Sequence, residues 1–175
     1  MIQEPTLTFT AIRLRRRGRQ QFIANWPLKM IVFCLGSFAK DATQGSGLRL
    51  NHRRARKLAD QWICEGTFQV MPPLIVTIEK DVAFDPLEET IEAGFGTMNL
   101  PVSKIIDICD GIHRVAALKL LENSEASLIA SEWPIEFIEC DDEMDAIRLS
   151  ERIRNESSLR PSAMPKPLMN RESTP

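Results

Sequence analysis

The most chemically informative residues of this chain form one stretch, Asp110-Gly111-Ile112-His113-Arg114. Glycine lets a backbone approach a ligand closely, and an imidazole and a guanidinium beside it can donate hydrogen bonds to an anion. An arginine in a first helical turn is disfavoured by the helix dipole, and a bound anion would remove that penalty. We therefore predict a phosphate or nucleotide site at Asp110, Gly111, His113 and Arg114.

This stretch should form the turn between a strand and a helix. The β-branched run 105–109 precedes it and the helical pattern 115–121 follows it. A helix N-terminus at this point presents free N–H groups. Asp110 is predicted to cap the helix, with Mg²⁺ binding as the alternative. An ordinary capped turn with a solvated arginine accounts for the same residues equally well, and catalytic residues stay unassigned.

Positive charge is concentrated in the first third of the chain. Residues 1–57 hold twelve lysines and arginines against two acids, and the remaining residues hold ten against twenty-two acids. This asymmetry indicates a surface that faces a polyanion, although neutralisation across the fold explains it too. The candidate DNA-binding residues are a hairpin cluster, Arg13, Arg15, Arg16, Arg17 and Arg19, and a helix cluster, Arg53, Arg54, Arg56 and Lys57.

Both clusters would neutralise DNA phosphates without reading bases, because no helix-turn-helix pattern accompanies them. Asn51 precedes the helix cluster and would cap its helix or touch a phosphate. The alternative for both clusters is a solvated surface.

The cysteines and histidines give little support to a metal centre. The four cysteines lie far apart without a C-x-x-C pair, and the chain has only two histidines. Buried, reduced thiols are predicted instead, which is typical of a cytoplasmic protein. The apolar run 30–39 is too short to cross a bilayer and no clean cleavage site follows it, so neither a membrane partner nor export is expected.

Hydrophobic periodicity predicts one α/β domain with a single mixed sheet over residues 1–160. Strands are expected at 7–14, 20–25, 74–78, 105–109 and 135–140, and helices at 51–64, 115–121 and about 144–155. Residues 30–35 fit either a buried strand or a short helix. Residues 79–102 are interpreted mostly as an acidic loop with one short strand, and the proline-rich residues 161–175 as an irregular tail.

Several further motifs resemble the DGQHR-domain family, in the order in which that family has them. They run over residues 7–163 and comprise Phe9-Thr10-Ala11-Ile12-Arg13, Gly18-Arg19, Pro27-Leu28-Lys29, Leu50-Asn51 with Arg54 and Leu58-Ala59, Phe84-Asp85-Pro86, Asp110-Gly111 with His113-Arg114 and Ala116-Ala117, and Asn155 with Arg160-Pro161-Ser162. The stretch at 110–114 carries the motif that gives the family its name.

The resemblance implies a ParB/sulfiredoxin-like α/β fold, in which a Gly-x-His-Arg turn is associated with nucleotide phosphate. It also implies membership of gene clusters that replace a non-bridging phosphate oxygen of DNA with sulfur. Such members are thought to bind DNA and to regulate transcription of the cluster rather than to perform the sulfur chemistry. On this basis Asn155 and Arg160 join the candidate site residues.

The chain departs from the family at three points. Ile112 stands where the family has glutamine, so one amide donor and acceptor is missing. Glu156 and Ser157 stand where the family has arginine and histidine, which removes positive charge. Family members also continue well past the Arg-Pro-Ser point, which suggests a truncated or divergent member.

Three functions follow, in order of expectation. The first is a DNA-binding accessory or transcription-regulatory protein of a phosphorothioation system, with DNA and other sulfur-modification proteins as partners and homo-oligomerisation left open. The second is a degenerate module that only interacts with other proteins. The third is an enzyme, a weak nucleotide hydrolase that would use the 110–114 turn with a nucleoside triphosphate and Mg²⁺.

Overall fold

The computed structural model describes residues 4–16, 18–41, 50–65, 72–90, 93–122 and 131–158. Along these residues the elements are β1 (Thr6–Arg16), β2 (Arg19–Pro27), α1 (Leu28–Leu35), α2 (Phe38–Asp41), α3 (His52–Glu65), β3 (Leu74–Glu79), β4 (Ala83–Glu89), β5 (Ala93–Pro101), β6 (Ile105–Asp110), α4 (Ile112–Leu121), β7 (Glu132–Cys140) and α5 (Glu143–Ser158). A 3₁₀ turn at Val102–Lys104 leads into β6. The predicted tail at 161–175 lies outside the described residues.

All seven described strands belong to one sheet in the order β4-β5-β1-β2-β7-β3-β6. The β3–β7 pair is parallel and the other five pairs are antiparallel, so the predicted mixed α/β sheet is confirmed. β1 and β2 form the predicted hairpin. Its turn places Gly18 at φ +77°, a left-handed conformation that glycine adopts without a steric penalty.

Aromatic contacts demonstrate that the sheet is strongly curved. Phe22 on β2 and Phe84 on β4 lie three strand positions apart, which would separate them by about 14 Å in a flat sheet. Their ring centroids are nevertheless 5.7 Å apart. On the same concave face, the ring of Trp26 lies 5.1 Å from those of both Phe9 and Phe137. The concave face therefore encloses the aromatic core.

The helices divide between the two faces of the sheet. On the concave face, Trp62 of α3 meets Trp133 of β7 edge-on at 5.7 Å, and α3 and α4 pack against each other. On the convex face, the Ser150 hydroxyl of α5 lies 2.9 Å from the Cys109 sulfur of β6. The side chain of Cys109 also contacts that of Thr77 on β3, which points away from the concave face because it alternates with that of Val76. α5 therefore covers the convex face beside β6, at one edge of the sheet.

Residues 79–102 are not the predicted loop, because they form β4 and β5. The sequence of these two strands contains residues with low strand propensity, so periodicity does not identify the strands. One of these residues, Gly96, is required by close packing. A Cβ at Gly96 of β5 would collide with the Asp85 carbonyl oxygen of β4. A register shift between Pro86 and Glu88 also interrupts the alternation of β4. The open question at residues 30–35 is resolved as a helix, α1.

The cysteine prediction is only partly correct. Cys34, Cys109 and Cys140 are buried free thiols, whereas Cys64 is exposed on α3. No helix in the described segments has the length and apolarity to cross a bilayer. Within those same segments, no three histidine, cysteine or acidic side chains gather as a metal site would require.

One ion pair fastens the β1–β2 hairpin to the start of α5. The two terminal nitrogens of Arg19 donate to the two carboxylate oxygens of Asp145 at 2.5 and 2.7 Å. The backbone N–H of Asp141 donates to the same carboxylate at 3.1 Å. The hydrogen bonds from Arg19 lower the pKa of Asp145 to about 2, against the opposing effect of burial.

We expect Asp145→Asn to lower the free energy of unfolding at pH 7 by about 1 to 2 kcal/mol, because the pair is bidentate but partly screened by solvent. The folded-state pKa lies below the reference value of 3.8, so this stabilisation is present above that value and is lost as the pH falls towards 2. Urea unfolding at pH 7 and at about pH 3 measures both effects.

The matched control is Arg16→Ala in the same hairpin, since Arg16 is exposed. It should change the free energy of unfolding by no more than about 0.5 kcal/mol. Equal losses for the two variants would contradict the assignment of the Arg19–Asp145 pair as the fastening.

Candidate functional site

The candidate site is built on a strand-to-helix turn that only glycine fits well. β6 ends at Asp110, Gly111 adopts φ +103°, and α4 begins at Ile112. A Cβ at Gly111 would also collide with the Leu74 side chain of β3. The predicted strand–turn–helix order is confirmed, with the chain turning sharply between Asp110 and Ile112.

The prediction that Asp110 caps α4 is wrong. Gly111 occupies the cap position, and no side-chain oxygen caps the helix. The Asp110 carboxylate instead accepts a hydrogen bond from Nη2 of Arg114 at 3.0 Å. Among the described residues, no side chain accepts the N–H groups of Ile112 and His113 at the start of α4, which is the state that suits an anion.

Arg114 is largely buried, at 8% exposure, and its hydrogen bonds go to the protein. Nη1 donates to the Pro72 carbonyl, and Nη2 donates to the Pro73 carbonyl at 3.3 Å in addition to Asp110. The Trp133 indole donates to the same Pro72 carbonyl at 3.2 Å. Three of the five N–H groups of the guanidinium are thus used to hold the turn against the entry to β3. This arrangement suits a brace of the site better than a mobile clamp on a ligand.

His113 links α4 to α3. Its Nε2 accepts the backbone N–H of Asn51 at 3.0 Å, so the neutral imidazole carries its proton on Nδ1. Burial and the nearby Arg54 guanidinium lower the pKa of His113, while Asp110 opposes this shift. A neutral imidazole with Nδ1–H remaining as a donor follows from this geometry.

The N-terminal ends of α3 and α4 therefore meet at one place. The Asn51 side chain caps α3 by accepting the Arg54 backbone N–H at 3.0 Å, as predicted. Neither helix has an acid in its first turn, in contrast to α5, which has Glu143 and Asp145 there. Two positive helix ends without acids in their first turns make this junction an anion-attracting surface. We call it the cradle.

The helix cluster lies beside the cradle and faces solvent. Ala55, Ala59 and Trp62 turn inward, while the four basic side chains are exposed. None of these four has an ion pair with another described residue. Within the described part of the chain, the cluster thus supplies positive charge without ion-pair partners at the end of α3.

The hairpin cluster is more dispersed than predicted. Arg13 is half-buried with its guanidinium 4.7 Å from the centre of the Phe84 ring, and Arg19 is paired with Asp145. Arg15 and Arg16 are exposed. Arg17 lies outside the described residues, as does Arg160, while Asn155 is exposed near the end of α5.

The two clusters are not brought together. Arg19 donates to the Glu139 carbonyl near the end of β7, whereas Arg114 lies beside Trp133 near its beginning. The six positions from Trp133 to Glu139 correspond to about 20 Å in an extended strand. The cradle and the hairpin cluster therefore lie at opposite ends of the sheet.

The contacts that assemble the cradle join residues far apart in the chain. Asn51 and His113 are 62 positions apart, and Arg114 reaches Pro72 across 42. Nothing in local periodicity identifies such partners. In the sequence, Pro72 and Pro73 indicate only the start of a strand. The folded structure is needed to show that their carbonyls accept hydrogen bonds from Arg114.

A family model described as "DndB: DNA-sulfur modification-associated" matches residues 9–146 of the chain. The matched span includes the hairpin cluster, the helix cluster and the cradle. No curated protein and no solved structure matches.

We expect Arg114→Met to lower the free energy of unfolding by about 2 to 4 kcal/mol, because it leaves two carbonyls and a carboxylate without their donor. Arg114→Lys should recover only part of this loss, since a single ammonium cannot replace the planar fork. Urea unfolding measures it, with the exposed Arg56→Met as the control at about 0.5 kcal/mol or less. A fully stable Arg114→Met protein would refute the bracing role.

We expect His113→Leu to abolish the link to α3 and His113→Gln to keep it, because a glutamine amide oxygen can also accept the Asn51 N–H. Amide hydrogen exchange at Asn51, followed by NMR, should be about tenfold faster in the leucine variant, for a hydrogen bond worth about 1.4 kcal/mol. Equal protection in all three proteins would show that the bond is absent in solution.

Comparison of the wild-type protein with His113→Gln also tests the charge state of His113. Because its folded-state pKa is lowered below 6.5, the stabilisation from the neutral ring is present above that value and is lost as the pH falls below it. Wild type should therefore lose stability relative to His113→Gln on acidification. If the difference in the free energy of unfolding between the two proteins stays the same as the pH falls below 6.5, His113 is not neutral in the folded protein.

Proposed function

Because this chain belongs to the DndB family of DNA-sulfur modification-associated proteins, we propose that it is a DNA-binding accessory and transcription-regulatory protein of a DNA phosphorothioation system. The observation that carries the proposal is the exposed helix cluster beside the cradle. Both features place positive charge at one end of the sheet, in a protein whose net charge is −2. Local positive surfaces of this kind steer and bind polyanions even when the net charge is negative.

The proposed contact begins with one DNA phosphate in the cradle. The backbone N–H groups of Ile112 and His113 and the Nδ1–H of His113 would donate to its oxygens, and Arg54 would add charge. Arg53, Arg56 and Lys57 would then neutralise neighbouring phosphates along the backbone. Contacts of this type fix position without reading sequence, so we propose a role that depends on backbone chemistry.

A phosphorothioate has the charge of a phosphate with one larger, softer atom. N–H donors tolerate either atom, so the cradle would accept modified and unmodified DNA. We further propose that the protein works in the cytoplasm, where its DNA and the other sulfur-modification proteins are found. Comparison of matched duplexes with and without sulfur distinguishes a selective cradle from a tolerant one.

Nucleotide binding is the alternative use of the same cradle. A triphosphate would place one phosphate where we place the DNA backbone, so ATP with Mg²⁺ should compete with DNA if both bind there. Turnover above that of His113→Ala would favour an enzyme. The internal bonds of Arg114 support it less than they support a binding site.

We expect wild-type protein to bind duplex DNA with a logarithmic salt slope of about −4, for four to five neutralised phosphates. Fluorescence anisotropy of a labelled duplex across a salt series measures it. Arg53→Ala combined with Lys57→Ala should reduce the slope by about 2 and weaken binding to all sequences alike.

The matched control is Arg15→Ala combined with Arg16→Ala, which removes the same charge at the opposite end of the sheet. We expect it to cost less affinity than the α3 pair. Equal losses would mean that net charge alone matters, and a flat salt dependence would refute DNA binding at the helix cluster.

A further inference from the structure

An apolar row crosses the convex face where α5 does not cover it. Ile12 on β1 pairs with Ile23 on β2 and with Phe95 on β5, and directly opposed residues share one face of a sheet. Ile12 is 45% exposed and Phe95 is 46% exposed. Open grooves border the row on both sides, and both are lined by Ile12 and Phe95. We call this the β1–β2–β5 surface.

Carboxylates stand at both ends of this row. Phe95 pairs with Glu88 on β4, and Ile23 pairs with Glu136 on β7. A third carboxylate, that of Glu132, lines one of the grooves. Among the described residues, none of the three takes part in a hydrogen bond or an ion pair. The surface is therefore apolar along its middle and negative at its margins.

This combination of chemistry excludes two obvious occupants. DNA would be repelled by the three glutamates, so the surface is not a second DNA contact. Two copies meeting face to face through it would oppose the same glutamates, which costs free energy in a partly desolvated interface.

The size of the surface narrows the choice further. From Glu88 on β4 to Glu136 on β7 the surface crosses five strands, which lie about 19 Å apart between the outer two, and nine residues of strand extend about 30 Å, which gives roughly 570 Å². A standard interface buries about 800 Å² on each partner. The surface thus has the dimensions of a site for one polypeptide segment rather than for a stable dimer.

We propose that the β1–β2–β5 surface binds an extended segment of a partner protein in which aliphatic side chains alternate with lysine or arginine. The period of two directs every aliphatic side chain onto the row, and the long, flexible stems of the intervening lysines or arginines extend past the edges of the segment to reach Glu88, Glu132 and Glu136. The proposal is independent of DNA binding, since the helix cluster and the cradle lie on different elements.

The probe is a labelled twelve-residue peptide that alternates leucine and lysine. Matched peptides alternate leucine with glutamate, and serine with lysine, so that each tests one of the two features. Fluorescence anisotropy with the full chain should give at least tenfold tighter binding for the leucine–lysine peptide than for either control.

Ile12→Ser combined with Phe95→Ser should weaken binding of the leucine–lysine peptide at least tenfold, and Glu88→Gln combined with Glu136→Gln should remove most of its salt dependence. Leu120→Ser, which changes an exposed apolar residue of α4, is the control and should leave binding unchanged. DNA affinity should be unaffected in all these variants, so failure here is distinguishable from failure of the DNA proposal.

Three outcomes would overturn the proposal. Equal binding of the leucine–lysine peptide by wild type and the Ile12/Phe95 double variant would mean that the peptide binds elsewhere. A wild-type dimer that dissociates in that variant, seen by analytical ultracentrifugation, would make a second copy the occupant. Peptide binding that requires removal of residues 159–175 would make that segment of the chain the occupant.

Discussion

The candidate site depends on one buried cation, the guanidinium of Arg114. Removing an arginine from water costs several kcal/mol unless hydrogen bonds and an opposite charge replace the lost hydration. The carbonyls of Pro72 and Pro73 and the carboxylate of Asp110 replace it here. Because those groups lead into β3 and end β6, the same contacts fix where two neighbouring strands meet α4. The uncapped N–H groups of that helix are thereby presented from a rigid support.

The near-neutral net charge of this molecule hides surfaces of opposite charge. The joined N-terminal ends of α3 and α4 and the helix cluster make one end of the sheet positive. At the other end, the pairing of Arg19 with Asp145 converts a predicted ligand contact into a structural fastening. The convex face carries acids that form no ion pair with another described residue, beside exposed apolar residues. One curved sheet thus supports two surfaces that suit chemically opposite partners.

Local patterns in the sequence predicted what local physics determines. Asn51 caps its helix and Gly111 forms its turn because each depends on residues within one helical turn. The prediction for residues 79–102 failed because Gly96 is selected by an approaching backbone, which periodicity does not register. The role of Asp110 was predicted wrongly for a related reason: a buried guanidinium four residues later competes for its carboxylate. Contacts between residues 40 or more positions apart in the sequence could be identified only from the folded structure.

The irregularity of β4 has a consequence for the behaviour of the chain at high concentration. β4 is an outermost strand of the sheet, and an outermost strand exposes unpaired backbone groups that recruit strands from other molecules. Pro86 removes one donor from that strand, the register shift beside it bends the backbone, and Glu88 adds negative charge. A neighbouring molecule is thus denied a straight, neutral template, which protects the native state against sheet extension into aggregates.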